Sequence, residues 1–320
     1  MDQVVLGRTG LEVSVVALGA GGPSRLGLRN GATEEQAIEL LRAAIDRGIS
    51  IIDTAPVYGT EPVVGAALAG LRDKVVLSSK LRPTLPDSSN DSSAYIEPAM
   101  VRESVEASLA ALRTDRIEIL HLHGVRPHQY PYCLEHLVPE LLLLQEEGKI
   151  GFLGITESFG VDAEREVMRQ ATEDGIWDVL MLGHNFINPS AEQLVLPRAR
   201  AKQLGVMCMY AVRGALATAD GLRKLVEKLV VQGEVAREAL DPAEPLGMLL
   251  ADGVAHSYTE AAYRFCRHTS GIDVVMTGTG SLDHLDQNIQ AIHAAPLPPE
   301  ILSRLSTVFG RVHTATGDPV

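Results

Sequence analysis

The unit that decides the fold is residues 33–53, which read TEEQAIELLRAAIDRGISIID. Apolar residues recur at helical spacing in its first half, and Thr33 followed three positions later by Gln36 forms the pattern of a capping box. Gly48 stands where a glycine commonly ends a helix, and a β-branched run follows it at once. The stretch therefore predicts an amphipathic helix over residues 34–47 that leads directly into a buried strand.

The same pairing of strand and helix recurs along almost the entire chain. Helical spacing also marks residues 99–112, 134–147 and 191–204. Short apolar runs that predict strands lie at 14–18, 49–52, 75–78, 117–120, 152–155, 178–181, 206–209 and 273–276. Alternation of this kind predicts parallel strands, and eight strands exceed the roughly five to seven of an open doubly wound sheet. The sequence therefore predicts a parallel, eight-stranded (β/α)₈ barrel, the TIM-barrel fold.

The length of 320 residues is compatible with one domain, residues 1–320, because barrels of this class reach that size as a single unit. Two segments interrupt the alternation. One is the Pro/Ser/Asp-rich stretch 83–93, and the other is 214–256, which carries its own helical pattern near 222–231. We expect both to be loop insertions that shape a substrate pocket, because such pockets lie at the carboxyl ends of barrel strands.

Composition and charge exclude several classes of protein. Hydrophobic residues make up 46% of the chain and charged residues 22%, which is typical of a globular protein. The net charge of −13 argues against nucleic acid or an anionic membrane surface as the main partner. No run of about 18 apolar residues is present and no basic and apolar leader follows Met1, so we expect a cytoplasmic protein. The three cysteines predict neither a disulfide framework nor a structural zinc site, because they are far apart and lack a C-x-x-C pair.

Polar side chains follow three neighbouring predicted strands at the point where each strand ends. Asp53 follows the second strand, Lys80 the third, and His121 and His123 the fourth, while Tyr58 lies five residues beyond Asp53. Because parallel barrel strands end at one rim, we expect these groups to lie close together.

This set of groups is suited to donating a proton to a carbonyl oxygen. A tyrosine hydroxyl has an ordinary pKa of about 10, and a nearby Lys80 ammonium is expected to lower the pKa of Tyr58 by favouring the phenolate. Asp53 is expected to hold the lysine in place and keep it charged. A neutral His123 is expected to donate a hydrogen bond to the substrate oxygen.

At these residues the sequence resembles the aldo-keto reductase family, and the resemblance runs from the start of the chain to about Ala295. Four motifs in the family's order carry it: DTAPVYGTE at 53–61, SSK at 78–80, DRIEILHLH at 115–123 and EGKIGFLGIT at 147–156. The resemblance implies a (β/α)₈ barrel and an NAD(P)(H)-dependent reduction of aldehydes or ketones, or the reverse oxidation. It also implies a catalytic tetrad of Asp53, Tyr58, Lys80 and His123.

The resemblance further implies a nicotinamide cofactor. The family's segment for the adenosine phosphate and adenine reads TGTGSLDHLDQN here, at 277–288. It assigns cofactor-binding roles to Gly278, Thr279, His284 and Asn288, and small residues beside a helix N-terminus suit a phosphate. The resemblance adds Thr156 for the carboxamide and Tyr210 for stacking on the nicotinamide.

The sequence departs from the family pattern in three ways. Gly278 and His284 stand where better-known members carry lysine and arginine, which weakens the preference for NADP(H) over NAD(H). NADP(H) is still the favoured cofactor, and NAD(H) is the alternative. Thr156-Glu157 replaces Ser-Asn, and Met181 replaces the glutamine of strand six. The motif around Tyr210 is also altered, so a shift of one residue would turn its ring to the other face.

Two other functions compete with carbonyl reduction. The sequence His121-Leu122-His123 would point both rings inward, as in metal-dependent hydrolases that bind zinc at a barrel strand end. Such a site normally lies on the first strand and needs further His and Asp ligands at later strand ends, whereas this one is on the fourth strand beside a lysine, so no metal site is predicted. The second alternative is a cofactor-binding sensor or regulatory protein with little turnover, to which the unusual carboxamide residues point. Turnover of a small-molecule carbonyl would distinguish the enzyme from the sensor, and the sequence leaves substrate and oligomeric state open.

Overall fold

The computed structural model describes residues 1–241 and 244–318, and its centre is a closed barrel of eight parallel strands. The strands are β1 Gln3–Val5, β2 Glu12–Ser14, β3 Val16–Gly19, β4 Ile51–Asp53, β5 Val76–Leu81, β6 Ile117–Val125, β7 Ile150–Glu157, β8 Val179–Gly183, β9 Gly205–Met209 and β10 Val274–Thr277. Strands β3 to β10 follow one another around the barrel, and β10 closes it against β3. The predicted (β/α)₈ barrel is confirmed, and each of the eight predicted runs overlaps one barrel strand.

Helices pack around the barrel. Their bounds are α1 Glu34–Asp46, α2 Glu61–Ala67, α3 Pro98–Leu112, α4 Tyr130–Tyr132, α5 Val138–Glu146, α6 Glu166–Asp174, α7 Ala191–Leu194, α8 Leu196–Ala201, α9 Ala219–Val231, α10 Tyr258–His268, α11 Leu282–His293 and α12 Pro299–Phe309. The capping box that opens α1 has both of its hydrogen bonds, from Gln36 N to Thr33 Oγ1 and from Thr33 N to Gln36 Oε1. In the described residues no helix is both long and apolar enough to cross a membrane.

Two predicted helices are interrupted. The prediction of one helix over 191–204 is wrong, because α7 ends at Leu194 and α8 begins at Leu196. Pro197 lies in the first turn of α8, where its missing N–H costs nothing, but it could not continue a helix from α7. The predicted helix over 134–147 contains a π-helical turn at Cys133–Leu137 before α5.

The sequence analysis missed an N-terminal hairpin. It assigned 14–18 to one strand, but Ser14 ends β2, which pairs antiparallel with β1, and the barrel strand β3 begins only at Val16. Leu6 and Val13 are fully buried against the barrel interior, in a cluster with Ala17, Ile51, Ile119, Val179, Met181, Met207 and Val274. The hairpin therefore covers the amino-terminal end of the barrel, and the carboxyl end is left for a ligand site.

The two predicted insertions lie outside the barrel strands. Segment 83–93 follows β5 without helix or strand, and the bridge of Thr84 with Tyr95 closes it. Segment 214–256 contains α9 and short 3₁₀ turns, and residues 242 and 243 of it lie outside the described residues. Apolar residues of α9 form a second buried cluster with α10, α12 and the loop after β8.

Candidate active site

Asp53 and Lys80 form a buried ion pair at the carboxyl rim of the barrel. Asp53 ends β4 and Lys80 lies on the neighbouring β5, and their side chains are 4% and 2% exposed. Lys80 Nζ donates to Asp53 Oδ2 at 2.5 Å and to the carbonyl oxygen of Thr54 at 2.9 Å. Ser78 Oγ donates to the other carboxylate oxygen at 2.8 Å. Both ions are thus hydrogen-bonded as buried charges must be.

Tyr58 lies above this pair on the short helical turn 56–58 that follows β4. Its ring centroid is 5.0 Å from Lys80 Nζ, and its hydroxyl is 3.4 Å from His123 Nε2. A Cβ at Gly21 would lie 2.6 Å from Cε2 of Tyr58, so only glycine lets the loop after β3 approach the ring. The four side chains of the predicted tetrad therefore lie together.

The charge states of these groups follow from burial and from one another. Burial has the largest single effect and lowers the pKa of Lys80, but the charge and hydrogen bond of Asp53 and the neighbouring Tyr58 hydroxyl together raise it by more, so the pKa is above its ordinary value and the ammonium is kept. Burial, then the charge of Lys80, then that of Arg82 lower the pKa of His123 to about 3, so the imidazole is neutral.

The expected direction for the pKa of Tyr58 is wrong. Burial raises this pKa, and the opposing effect of the Lys80 charge is smaller. The sequence analysis considered the cation but could not weigh the loss of solvent around the hydroxyl. Tyr58 is consequently a protonated phenol at neutral pH.

His121 lies inside the barrel, one step below His123 on β6. It is fully buried, and burial lowers its pKa well below the usual range. Its ring fits beside Gly154 of β7, where a Cβ would lie 2.2 Å from Nδ1. Among residues 1–241 and 244–318 no group of three or more His, Cys, Asp or Glu side chains could hold a metal ion.

A single cleft of about 1640 Å³ opens above the tetrad at the carboxyl ends of the strands. It is lined by all ten residues that the sequence analysis singled out, namely Asp53, Tyr58, Lys80, His123, Thr156, Tyr210, Gly278, Thr279, His284 and Asn288. Tyr210 is not turned to the other face: it lines the cleft, and its backbone has a positive φ of 64°.

Sequence reasoning missed the partners of Tyr210. The Phe159 ring stacks on it with centroids 5.7 Å apart, and the Arg213 guanidinium lies 4.0 Å from its ring centroid. Arg213 is in turn paired with Asp318 near the carboxyl terminus. These contacts join loops that are far apart in the chain. The only sign of them in the sequence is Phe159, an aromatic residue just after β7 with no partner that the sequence pattern identifies.

The residues that replace the family's Ser-Asn pair are engaged within the protein. Thr156 Oγ1 accepts a hydrogen bond from Gly124 N at 2.7 Å. Glu157 forms a buried ion pair with Arg165 at 2.7 Å and accepts from Gly183 N at 2.6 Å. Glu157 therefore anchors the end of β7 to the end of β8.

The loop after β10 leads into α11 through capping contacts. Ser281 Oγ accepts from His284 N as the N-cap of α11, and Thr279 Oγ1 accepts from Ser281 N at 3.0 Å. Asn288 Nδ2, one turn further on, donates to Thr277 Oγ1 at 2.7 Å. This wall thus presents hydroxyls, the start of a helix and His284 to the cleft.

The fold and the position of the cleft are those of a barrel enzyme, whose ligand sites lie at the carboxyl ends of the strands. The model of the Aldo/keto reductase family matches residues 16–308, so the chain belongs to this family of NAD(P)-dependent oxidoreductases.

Individual relatives extend this result. The chain is similar to L-galactose dehydrogenase from Arabidopsis thaliana, with 27% identity over 321 residues that cover 97% of this chain and 95% of the relative. It is also similar to an aldo-keto reductase from Klebsiella pneumoniae solved in complex with NADPH, with a TM-score of 0.69, 25% identity, and coverage of 100% and 99%. The holo form of aldo-keto reductase AKR11C1 from Bacillus halodurans shares the fold, with a TM-score of 0.75, 23% identity, and coverage of 98% and 100%.

Proposed function

We propose that the protein reduces aldehyde or ketone carbonyls, or oxidises the corresponding alcohols, with NADP(H) as the favoured cofactor and NAD(H) as the alternative. The observation that supports this most directly is the Tyr58 hydroxyl 3.4 Å from the neutral His123, above the charged Lys80. A protonated phenol beside a fixed cation and a neutral imidazole can protonate a carbonyl oxygen as negative charge develops on it.

Each residue of the tetrad has its own role in this proposal. Tyr58 donates its proton to the carbonyl oxygen, and the raised pKa keeps that proton in place until the oxygen becomes basic. His123 donates a hydrogen bond that orients the same oxygen. Lys80 stabilises the phenolate that remains, and Asp53 acts as a positioning residue that holds the ammonium.

The cleft residues fit a nicotinamide cofactor. The first turn of α11 has backbone N–H groups without intrahelical acceptors, a setting that suits a phosphate. The cofactor would be held by Thr156, Tyr210, Gly278, Thr279, His284 and Asn288. When bound in its reduced form, the nicotinamide supplies hydride to the carbonyl carbon. The Klebsiella pneumoniae relative in complex with NADPH supports NADP(H) as the favoured form.

The test is oxidation of NADPH by the purified protein with a panel of aldehydes, and oxidation of L-galactose with NADP⁺ in the reverse direction. We expect Tyr58→Phe to lower kcat by about 10²–10⁴ with cofactor binding retained, because general acid catalysis contributes that much. Tyr258→Phe, a tyrosine on α10 that does not line the cleft, is the control and should keep wild-type turnover. Near-wild-type turnover by Tyr58→Phe would exclude it as the acid.

A second candidate is a cofactor-binding sensor with little turnover. Two positions that hold the carboxamide in the family are changed here. Glu157 is ion-paired with Arg165, and the Met181 thioether is only a weak hydrogen-bond acceptor. Stabilisation by NADPH without turnover on the whole panel would favour this candidate over the enzyme.

We also propose that residues 1–320 act as one domain in the cytoplasm. Two partly buried residues, Val212 and Phe265, pack on both large hydrophobic clusters, which supports a single folding unit. A reducing compartment suits the three free cysteines, which are buried: Cys133, Cys208 and Cys266.

A further inference from the structure

Three lysine or arginine side chains line the cleft in the described part of the chain, and only two of them are paired with a carboxylate there. Lys80 is paired with Asp53, and Arg213 is paired with Asp318. Arg82 has no carboxylate within ion-pair distance among residues 1–241 and 244–318. The cleft therefore contains one cation that the described residues leave unbalanced, although the chain as a whole carries a net charge of −13.

The carboxylates that line the cleft cannot supply the missing charge, because each has its own partner. The pairs are Asp53 with Lys80, Glu157 with Arg165, Glu260 with Arg264, and Asp318 with Arg213. An anion that balances Arg82 would consequently have to come from a bound molecule.

Arg82 is held in a defined position in the wall of the cleft. It follows β5 two residues after Lys80, so the two-residue period of a strand turns both side chains to the cleft. Nη2 donates to Thr84 Oγ1 at 3.0 Å and to the carbonyl oxygen of Ser88 at 3.1 Å, both in segment 83–93.

The rest of the guanidinium has no acceptor among the residues that the structure describes. Arg82 Nε is buried without a hydrogen-bond partner, and Nη1 donates to none of the described residues. The Arg82 charge also contributes to the lowered pKa of His123, so the guanidinium acts on the space beside that imidazole. A charged donor held in this way is suited to an oxyanion.

We propose that Arg82 binds a carboxylate of the substrate, so that the preferred substrates are carbonyl compounds that also carry an anionic group. The proposal rests on the proposed carbonyl reduction and names the substrate class of that site. The carbonyl oxygen lies at Tyr58 and His123, and the carboxylate lies at Arg82. In this proposal segment 83–93 positions the anion-binding group, because Thr84 and Ser88 hold the Arg82 guanidinium by hydrogen bonds.

Two aldehydes of nearly the same shape separate charge from size. In 4-carboxybenzaldehyde and 4-nitrobenzaldehyde the substituents are planar and similar in volume, but only the carboxylate is charged. The nitro group makes its aldehyde intrinsically more reactive towards hydride, so the wild-type ratio of kcat/KM for the carboxylate over that for the nitro compound serves as the reference. In Arg82→Gln the ratio of the two kcat/KM values should fall by about tenfold or more, because a charge-assisted hydrogen bond is lost. Arg82→Lys should retain part of the ratio.

Arg126→Gln is the matched control. Arg126 is paired with Asp91 of the same segment but does not line the cleft, so the ratio should stay as in the wild type. An unchanged ratio in Arg82→Gln would overturn the proposal. The proposal would also be overturned if Arg82→Gln raised the KM for NADPH and left the ratio of the two kcat/KM values unchanged, because Arg82 would then bind the cofactor.

A measurement without turnover separates this proposal from the proposed function. If the wild-type protein reduces neither aldehyde, carbonyl reduction fails by its own test, but the anion site can still be assessed with benzoate. Benzoate should raise the Tm of the wild-type protein and not that of Arg82→Gln. Equal effects on both proteins would overturn the anion site.

Discussion

Asp53 and Lys80 show how strongly one buried contact can constrain a site. Each ion has lost nearly all of its solvent, so its charge is stabilised by its partner, by the hydrogen bonds from Ser78 and to Thr54, and, for Lys80, by Tyr58. Removing one member of such a pair leaves a buried charge without a partner, which typically costs about 3–5 kcal/mol.

We predict that Lys80→Met lowers both the free energy of unfolding and kcat/KM, and that its effects do not add to those of Asp53→Asn. Asp53 acts through Lys80, so once the lysine is gone the carboxylate has nothing to position. The double variant should recover part of the stability lost in Lys80→Met, because it contains no unpaired charge. A double-mutant cycle should therefore give a coupling well above about 0.5 kcal/mol, measured by urea unfolding and by kcat/KM.

The exposed pair of Arg116 and Asp73 provides the control for that cycle. Its side chains are 48% and 90% exposed, so its coupling should stay within about 0–1 kcal/mol. Additive effects at Asp53 and Lys80 would mean that the lysine is not held by the aspartate and would remove the mechanism proposed for the tetrad.

The tetrad positions could be predicted from sequence because Asp53, Lys80 and His123 are polar residues near the carboxyl ends of barrel strands and Tyr58 lies on the turn after β4. Alternation along the strands points Asp53, Lys80 and His123 inward, and the strands end at the same rim, so the three side chains meet there irrespective of loop conformation. The pairing of Arg165 with Glu157 could not be predicted. Arg165 itself has a left-handed backbone, with φ of 51°, and sequence patterns do not reveal such a turn back towards β7. The pKa of Tyr58 likewise required the three-dimensional structure, because burial raises it by more than the Lys80 charge lowers it.

Among the elements, the N-terminal hairpin has the largest effect that the sequence analysis did not foresee. Its strands have three residues each, and β1 is mostly exposed, so no alternating pattern is long enough to be recognised. Leu6, between the two strands, is nevertheless fully buried among the interior residues of the barrel.

We predict that Leu6→Ala lowers the free energy of unfolding by about 2–5 kcal/mol, the usual cost of such a truncation in a packed interior. The neighbouring Val5→Ala is the matched control, because Val5 is 55% exposed and should change stability by less than about 0.5 kcal/mol. Urea unfolding of the three proteins tests this. Equal effects of the two substitutions would show that the hairpin does not seal the barrel.

Element boundaries were predictable where local chemistry specifies them. The start of α1 follows from Thr33 and Gln36, whose reciprocal hydrogen bonds depend only on neighbours in sequence. The break between α7 and α8 at Val195, two residues before Pro197, was not predicted, because apolar spacing across it favoured one helix. Periodicity thus identified the helical segment but not its interruption.

At the scale of the whole molecule, the carboxyl-terminal segment closes one wall of the cleft. Asn188 Nδ2 donates to the carbonyl oxygens of His313 and Ala315 at 3.1 and 2.8 Å, and Asn185 Nδ2 donates to that of Thr316 at 3.2 Å. Arg213 holds Asp318 beside Tyr210. A ligand in this cleft therefore contacts loops from most of the barrel, and its binding free energy should stabilise the fold as a unit.

We predict that NADPH stabilises the protein more than NADH does, by a modest margin that depends on His284. No lysine or arginine occurs in residues 277–291, so the 2′-phosphate would be held by the start of α11, by hydroxyls and by His284. Saturation at about 100 times Kd stabilises a protein by about 2.7 kcal/mol, which appears as a rise of several degrees in Tm. His284→Gln should weaken NADPH binding and leave NADH binding nearly unchanged, whereas His293→Gln, the same substitution in the last turn of α11, should affect neither. Thermal-shift titrations of the three proteins with both cofactors give the Kd values. A preference for NADPH that survives His284→Gln undiminished would assign the 2′-phosphate to another group of the cleft.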